Sequence, residues 1–165
     1  MSAKDGKTTI KFYISDTTAK QTYGKTGTQL YSAGYLDANN EDGKLKPEYD
    51  AARAYLEGDW RMPTAADLRA LVKNCDRKWT TLNGVSGYVV TGKGNYASKG
   101  IFLPVTGYAG SSSLYNPSTS GYYWSSTPVW GSSSGSWYFG INSSTFNCVD
   151  TTNTRYYGMP IRPVR

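Results

Sequence analysis

From Gly121 to Asn147 the chain reads GYYWSSTPVWGSSSGSWYFGINSSTFN, a run crowded with Tyr, Trp and Phe that Gly, Pro and Ser interrupt at short intervals. Punctuation this dense favours many short strands and turns over long helices, because the aromatic residues suit pleated surfaces and the small ones suit turns. The run also holds no charged side chain, although the whole chain carries a formal net charge of +6. Whatever this region does, it does without ionic groups of its own.

The rest of the composition bounds the answer. A chain of 165 residues suits one domain, and 38% hydrophobic with 15% aromatic content supplies a real core. Nothing approaches the run of roughly 18 apolar residues that a membrane helix needs, so no membrane span is expected. The opening MSAKDGKTTI lacks the apolar segment of a secretory leader. With no histidine in the chain, His-containing zinc sites, His-based triads and His acid–base chemistry drop out. Cys75 and Cys148 permit one bridge or two free thiols. The lysines are scattered among nearly as many acids and form no basic stripe, which argues against a nucleic-acid partner. Charge also stops unevenly: Lys99 is the last lysine, Glu57 the last glutamate, and Asp76 the last acid before Asp150.

Read for elements, the first part, with TTIKFYI and TQLYSAGYL, predicts one or two strands and loops, and an N-terminus that frays. LKPEYDAARAYLEGD predicts a short helix that opens at Pro47 and stops at Gly58. In DWRMPTAADLRALVKNC a short strand, Trp60 to Met62, runs into a helix, Ala65 to Asn74, with Thr64 as cap and Asp67 in the acidic variant of the capping box. GYVV and IFLPV predict two strands around a flexible loop, GKGNYASKG. That loop lacks the ending of a phosphate loop. YYWSST, SWYFGIN and YYGMPIRPV predict three more strands. In SWYFGIN alternation places Trp137, Phe139 and Ile141 on the core face and Tyr138, Gly140 and Asn142 outward. The acidic NNEDG, Asn39 to Gly43, does not have EF-hand spacing and reads as a solvated turn.

Five ordered blocks, DWRMPT..DL..LVKNC, WTTLNGVSGY.VTG, IFLPVTGY, GYYWSST and RYYGMPIRPVR, closely resemble the Fibrobacter succinogenes major paralogous domain. Its relatives include the variable proteins of diversity-generating retroelements of gut bacteria and their phages. The likeness covers roughly residues 45–165, with residues 1–44 as an N-terminal strand and loop segment on the same domain. The resemblance implies an α+β, C-type lectin-like fold of the formylglycine-generating-enzyme type: two short helices on a small twisted antiparallel sheet, with long irregular loops. It also implies Arg162 hydrogen-bonded within the scaffold.

In such variable proteins adenine-directed mutagenesis rewrites codons that can yield Ser, Tyr, Asn, Asp, Thr, Gly, Val, Phe or Cys, but not Lys, Glu, Gln, Met or Trp. Between Gly100 and Gly158 the chain has no Lys, Glu, Gln or Met, and each occurs earlier. Ordinary selection on a Ser- and Tyr-rich surface would leave the same composition. Trp124 and Trp137 fall outside the permitted set and belong to the scaffold with Ser125, Ser126, Phe139 and Ile141; Trp130 is outside it too, yet sits in the loop where variation is expected. Cys148 fits a product of such a codon, which argues against a designed bridge to Cys75.

Tyr and Trp give rigid contact area at low entropic cost, and Ser, Gly and Asn give adaptable hydrogen bonds, as in antibody loops. Pattern and resemblance together mark a variable region of about residues 107–157. Its candidate ligand-binding residues are Tyr115, Asn116, Tyr123, Val129, Trp130, Ser132, Ser133, Tyr138, Gly140, Asn142, Thr145, Asn147, Asp150, Thr152, Asn153 and Tyr156. The expected function is attachment to a protein or glycan on a cell surface, displayed outside the cell on a phage or bacterium, with no catalysis, cofactor or metal. The display partner is not legible. A non-diversified bacterial adhesin of the same family is the alternative. A formylglycine-generating oxidase is the third reading, and it would need a pair of nearby C-terminal cysteines that Cys75 and Cys148 do not match. The Glu-Pro-Asn, Gln-Pro-Asp and Trp-Asn-Asp signatures of calcium-dependent sugar lectins are missing as well.

Overall fold

The computed structural model describes residues 22–110, 112–149 and 154–165, so the run TTIKFYI lies outside the described residues. TQLYSAGYL is not a strand. Gly27–Ser32 forms helix α1, whose entry is fixed by the Thr26 N–H donating to Gln29 Oε1 at 2.9 Å. Leu30 is buried from this helix and Leu36 from an isolated bridge to Leu45. A local cap overrode the alternation here.

The helix expected over LKPEYDAARAYLEGD is split. Pro47–Tyr49 is a 3₁₀ turn and Ala51–Tyr55 is helix α2, with Asp50 extended between them at ψ 112°. The Asp50 carboxylate explains the break. It accepts from the α2 N–H groups of Ala52 and Arg53 at 2.9 and 3.1 Å, and both its oxygens accept from the Met62 N–H at 3.1 and 2.9 Å. One buried carboxylate thus caps a helix and ties it to the chain entering the next.

Ala65–Asn74 is helix α3, with the expected bounds and cap. The Asp67 N–H donates to Thr64 Oγ1 at 3.1 Å and the Thr64 N–H donates to Asp67 Oδ2 at 2.8 Å. Arg61 Nη1 lies 2.6 Å from the same Asp67 oxygen. Burial works to raise the Asp67 pKa, but the Arg61 guanidinium and the Thr64 donors outweigh it and hold the carboxyl below its usual value.

After α3 come three strands rather than two: β1 (Asp76–Leu82), β2 (Val85–Thr91) and β3 (Gly100–Pro104), an antiparallel sheet in that order. The unexpected first hairpin closes on Asn83 and Gly84, both at positive φ (50° and 79°) between the paired Leu82 and Val85. That is the Asn-Gly hairpin signal. GKGNYASKG is an exposed connection holding a 3₁₀ turn, Gly94–Tyr96. β4 (Tyr108–Gly110) and β5 (Ser113–Tyr115) form a small hairpin. β6 (Gly121–Pro128), β7 (Ser136–Ile141) and β8 (Phe146–Val149) make the third antiparallel sheet.

Strands β6 and β7 of the third sheet are covered on both faces, whereas Asn147 of β8 is exposed. Tyr123, Phe139, Ile141, Phe146 and Cys148 pack with Ala65 and Leu68 of α3 and with Tyr88, Val90 and Leu103 of the first sheet. On the other side Trp124 and Tyr138 pack with Ala52, Met62, Met159 and Ile161. Within β6 the register shifts between Trp124 and Pro128, and the irregular backbone is satisfied by small hydroxyls. Ser125 Oγ donates to Trp137 O at 2.8 Å, and Thr127 Oγ1 accepts the Ala65 N–H at 3.1 Å. Ser125 and Ser126 are scaffold, as their positions suggested.

The last expected strand, YYGMPIRPV, is not regular. Pro160 and Pro163 lack the N–H that a ladder needs, and the segment is held by isolated bridges, Ala109 to Gly158 and Arg61 to Val164. Trp60–Met62 is likewise extended only through its Arg61 bridge. The molecule is an α+β domain of short helices and small antiparallel sheets, and no described helix is long and apolar enough to cross a membrane.

Candidate binding surface

The C-terminal segment that fails to form a strand instead carries tyrosines into a continuous series of ring contacts. Tyr23 meets Tyr156 at 5.5 Å between centroids, Tyr156 meets Tyr157 at 4.8 Å, and Tyr157 meets Tyr108 at 5.0 Å. Tyr108 stacks on Tyr115 and meets Tyr122 edge-on, both at 5.1 Å. Tyr122 then contacts Tyr138, and Tyr138 contacts Trp124 in the core. The outer members are open to solvent, with Tyr23 46%, Tyr115 44% and Tyr156 52% exposed. Tyr108, Tyr122 and Tyr157 are half-buried. Such contacts contribute about 0.5–1.5 kcal/mol per pair beyond area burial, so the row is held by itself as well as by its backbone. Asn116, at φ 51°, donates through Nδ2 to the Tyr122 hydroxyl at 3.2 Å.

One end of this row borders the loop from Val129 to Gly135. Four of its seven backbone carbonyls are engaged by the N-terminal segment and by Arg155. Trp130 O accepts the Gly27 N–H at 2.9 Å, Ser133 O the Gly24 N–H at 2.7 Å, and Ser134 O the Arg155 N–H at 2.8 Å. Arg155 Nη2 donates to Lys25 O at 2.7 Å and to Ser132 O at 3.3 Å. Ser132 Oγ accepts from Gly135 N–H at 2.8 Å and from Ser134 N–H at 3.2 Å. The Trp130 ring lies on Gly27 so closely that a Cβ there would stand 2.1 Å from it. Val129, Trp130 and Ser132 are half-buried, and Ser133 is exposed. The loop is therefore a braced surface.

The structure brings Tyr115, Asn116, Val129, Trp130, Ser132, Ser133 and Tyr156 to the row or its bordering loop. It does not place Tyr123, Tyr138 or Gly140 on a surface. Tyr123 is 4% exposed, its hydroxyl donates to Pro104 O, and burial pushes its pKa well above the ordinary tyrosine value. Tyr138 is 9% exposed and roots the row in the core, and Gly140 is buried. The outward assignment failed because alternation separates two faces but cannot say that one of them is solvated, and at Tyr138 and Gly140 of β7 neither is.

Asn142, Thr145 and Asn147 belong to the β7–β8 turn and its flank. Thr145 and Asn147 are exposed, whereas Asn142 Oδ1 is occupied by the N–H groups of Ser144 and Thr145 at 2.9 and 2.8 Å. Asp150, Thr152 and Asn153 lie outside the described residues. The sequence pattern did not point to Tyr23, Tyr108, Tyr122 or Tyr157. Tyr122 carried a usable signal, since it shares a strand face with Trp124; the others are joined only by long-range folding.

Arginine placement is also corrected. Arg162 is exposed, and Arg155, at 5% exposure, is the one set into the scaffold, with its pKa lowered by burial to about 10. Cys75 and Cys148 are not joined in a disulfide, and the Cys148 thiol donates to Ala65 O at 3.7 Å. Compared with protein-family models, curated proteins and solved structures, the chain finds no match.

Proposed function

We propose that this protein is a ligand-binding module of C-type lectin-like fold that attaches to a protein or glycan on a cell surface, and that its C-terminal surface is diversified by a retroelement. The observation that carries the binding reading is the exposed tyrosine row joined to a braced, charge-free loop. Rigid aromatic area with adjacent Ser and Asn hydrogen-bonding groups binds at low entropic cost, because little of it must be ordered on contact. The diversification reading rests on the absence of Lys, Glu, Gln and Met between Gly100 and Gly158 and on the five sequence blocks. Display outside the cell on a phage or bacterium belongs to the same proposal, as does the absence of catalysis.

Burial narrows the residues open to variation. Tyr123, Tyr138 and Gly140 are core positions where a free choice of side chains would cost stability. That observation favours keeping a second reading, an adhesin of fixed sequence on the same scaffold. Sequencing the encoding locus separates the two. Diversification requires a near-copy of the DNA for about residues 107–157, with adenines at the codons for Tyr115, Asn116, Ser132, Ser133 and Tyr156, beside a reverse transcriptase gene. A locus without the copy leaves the fixed adhesin.

A further inference from the structure

Between α1, α2 and the third sheet, behind the braced loop, lies a cavity of about 160 Å³. Leu30, Met62 and Trp124, almost fully buried, form its deep end. Leu45, Tyr49 and Ala51 are half-buried along its sides, and Ala54 is exposed toward its mouth. No tyrosine of the exposed row lines it, so the cavity is separate from the binding surface already described. Voids larger than a water molecule are few in a folded domain, and one of this size has room for a small ligand.

The polar groups on its wall are already committed. Ser125 Oγ donates to Trp137 O at 2.8 Å, and Ser136 Oγ donates to Thr127 O at 3.1 Å. The Asp50 carboxylate accepts the N–H groups of Ala52, Arg53 and Met62. Arg155 Nη2 donates to Lys25 O and Ser132 O, and its Nε and Nη1 are sealed within the protein, out of reach of the cavity. Glu48 is exposed, so its charge belongs to the solvent. The wall therefore offers an ion no free counter-charge inside and offers water little to bond. An apolar cavity of about 150 Å³ stays dry and takes up benzene.

We propose that this cavity is a second ligand site, for a neutral, compact apolar molecule of one six-membered ring or a branched hydrocarbon body of similar size. The body lies against Leu45, Tyr49 and Ala51 and reaches toward Met62 and Trp124. Binding takes apolar surface of ligand and wall out of water and gives the wall the packing partners it lacks. Because the wall joins α1 and α2 to β6, occupancy ties these elements together and raises resistance to unfolding.

The test is calorimetric titration of the full chain with toluene, benzoate and benzylammonium, with unfolding midpoints followed alongside. Toluene should bind saturably and raise the midpoint. Benzoate and benzylammonium have a similar shape but carry a charge, and each should bind more weakly by about ten-fold or more, since neither finds a free counter-charge inside. Ala51→Leu and Ala54→Leu add bulk to the wall from α2, the first at a half-buried position and the second at an exposed one where leucine keeps the helix. Toluene binding should fall in both. Toluene that does not saturate, a charged analogue that binds as tightly, or binding untouched by both substitutions would each overturn the proposal.

Discussion

Gly27 and Trp130 show how far a single residue can decide the surface. The glycine has no side chain, the indole occupies the space a Cβ would take, and the Gly27 N–H holds the Trp130 carbonyl at 2.9 Å. Gly27→Ala should therefore push the indole out of place and cost about 1–3 kcal/mol, as overpacking does. Urea unfolding checks the stability, and the Trp130 contribution to fluorescence checks the displacement. Nothing local in the sequence foretold this pair, because the contact joins segments far apart along the chain. Scaffold residues were more legible: Trp124, Phe139 and Ile141 are buried where large apolar side chains in these strands should be. Tyr123 and Tyr138 were not, since a tyrosine is equally at home in a core with its hydroxyl bonded and on a surface with it wet.

At the scale of elements, what could be read was what chain-local chemistry controls. Helix α3 has the bounds that Thr64 and Asp67 signal, and the capping is reciprocal. Because the Asp67 pKa is lower in the fold than in the unfolded chain, its contribution is complete above the unfolded value of about 4 and is lost as pH falls through the folded value. Denaturation midpoints measured through the acid range should decline in the wild type, and Asp67→Asn should remove part of that decline while lowering stability at neutral pH. The β1–β2 hairpin also had its local signal, Asn83-Gly84, although the apolar runs GYVV and IFLPV alone suggested only two strands. At φ 79° with open space around it, Gly84→Ala should cost about 1–2 kcal/mol through backbone strain alone, which thermal unfolding will register. The split before α2 was beyond local reading, because Asp50 leaves the helix to bond Met62 twelve positions away.

The whole molecule is organised around a sheet whose first two strands, β6 and β7, are covered on both faces. Packing of β6 and β7 between α3 and the first sheet on one side, and Ala52, Met62, Met159 and Ile161 on the other, leaves most of the exposed tyrosine row to other segments, with Tyr122 its member on β6. The row and its bordering loop lie on the small β4–β5 hairpin, the loop after β6 and the C-terminal stretch around Tyr156. Scaffolds commonly place recognition on loops that a rigid core positions. The sequence announced a tyrosine- and serine-rich, charge-free surface but not its location. The row is assembled from Tyr23, Tyr108, Tyr115, Tyr122, Tyr156 and Tyr157, which only the tertiary structure puts in contact.

The central claim is that this row and its bordering loop form the binding surface. It is tested most directly by screening the full chain on arrays of cell-surface glycans and bacterial surface proteins, then measuring each hit against Tyr115→Ser, Tyr156→Ser and their combination. The double variant breaks three ring contacts, Tyr23–Tyr156, Tyr156–Tyr157 and Tyr108–Tyr115, each worth at most about 0.5–1.5 kcal/mol, so unfolding midpoints are measured alongside and affinities compared where the variants are folded. With the row as the contact surface, affinity for the target falls by about ten-fold or more in the double variant, as losing aromatic anchors implies. Undiminished affinity in that variant, with binding lost instead on changing the exposed Arg77 and Lys78 of β1, would contradict it.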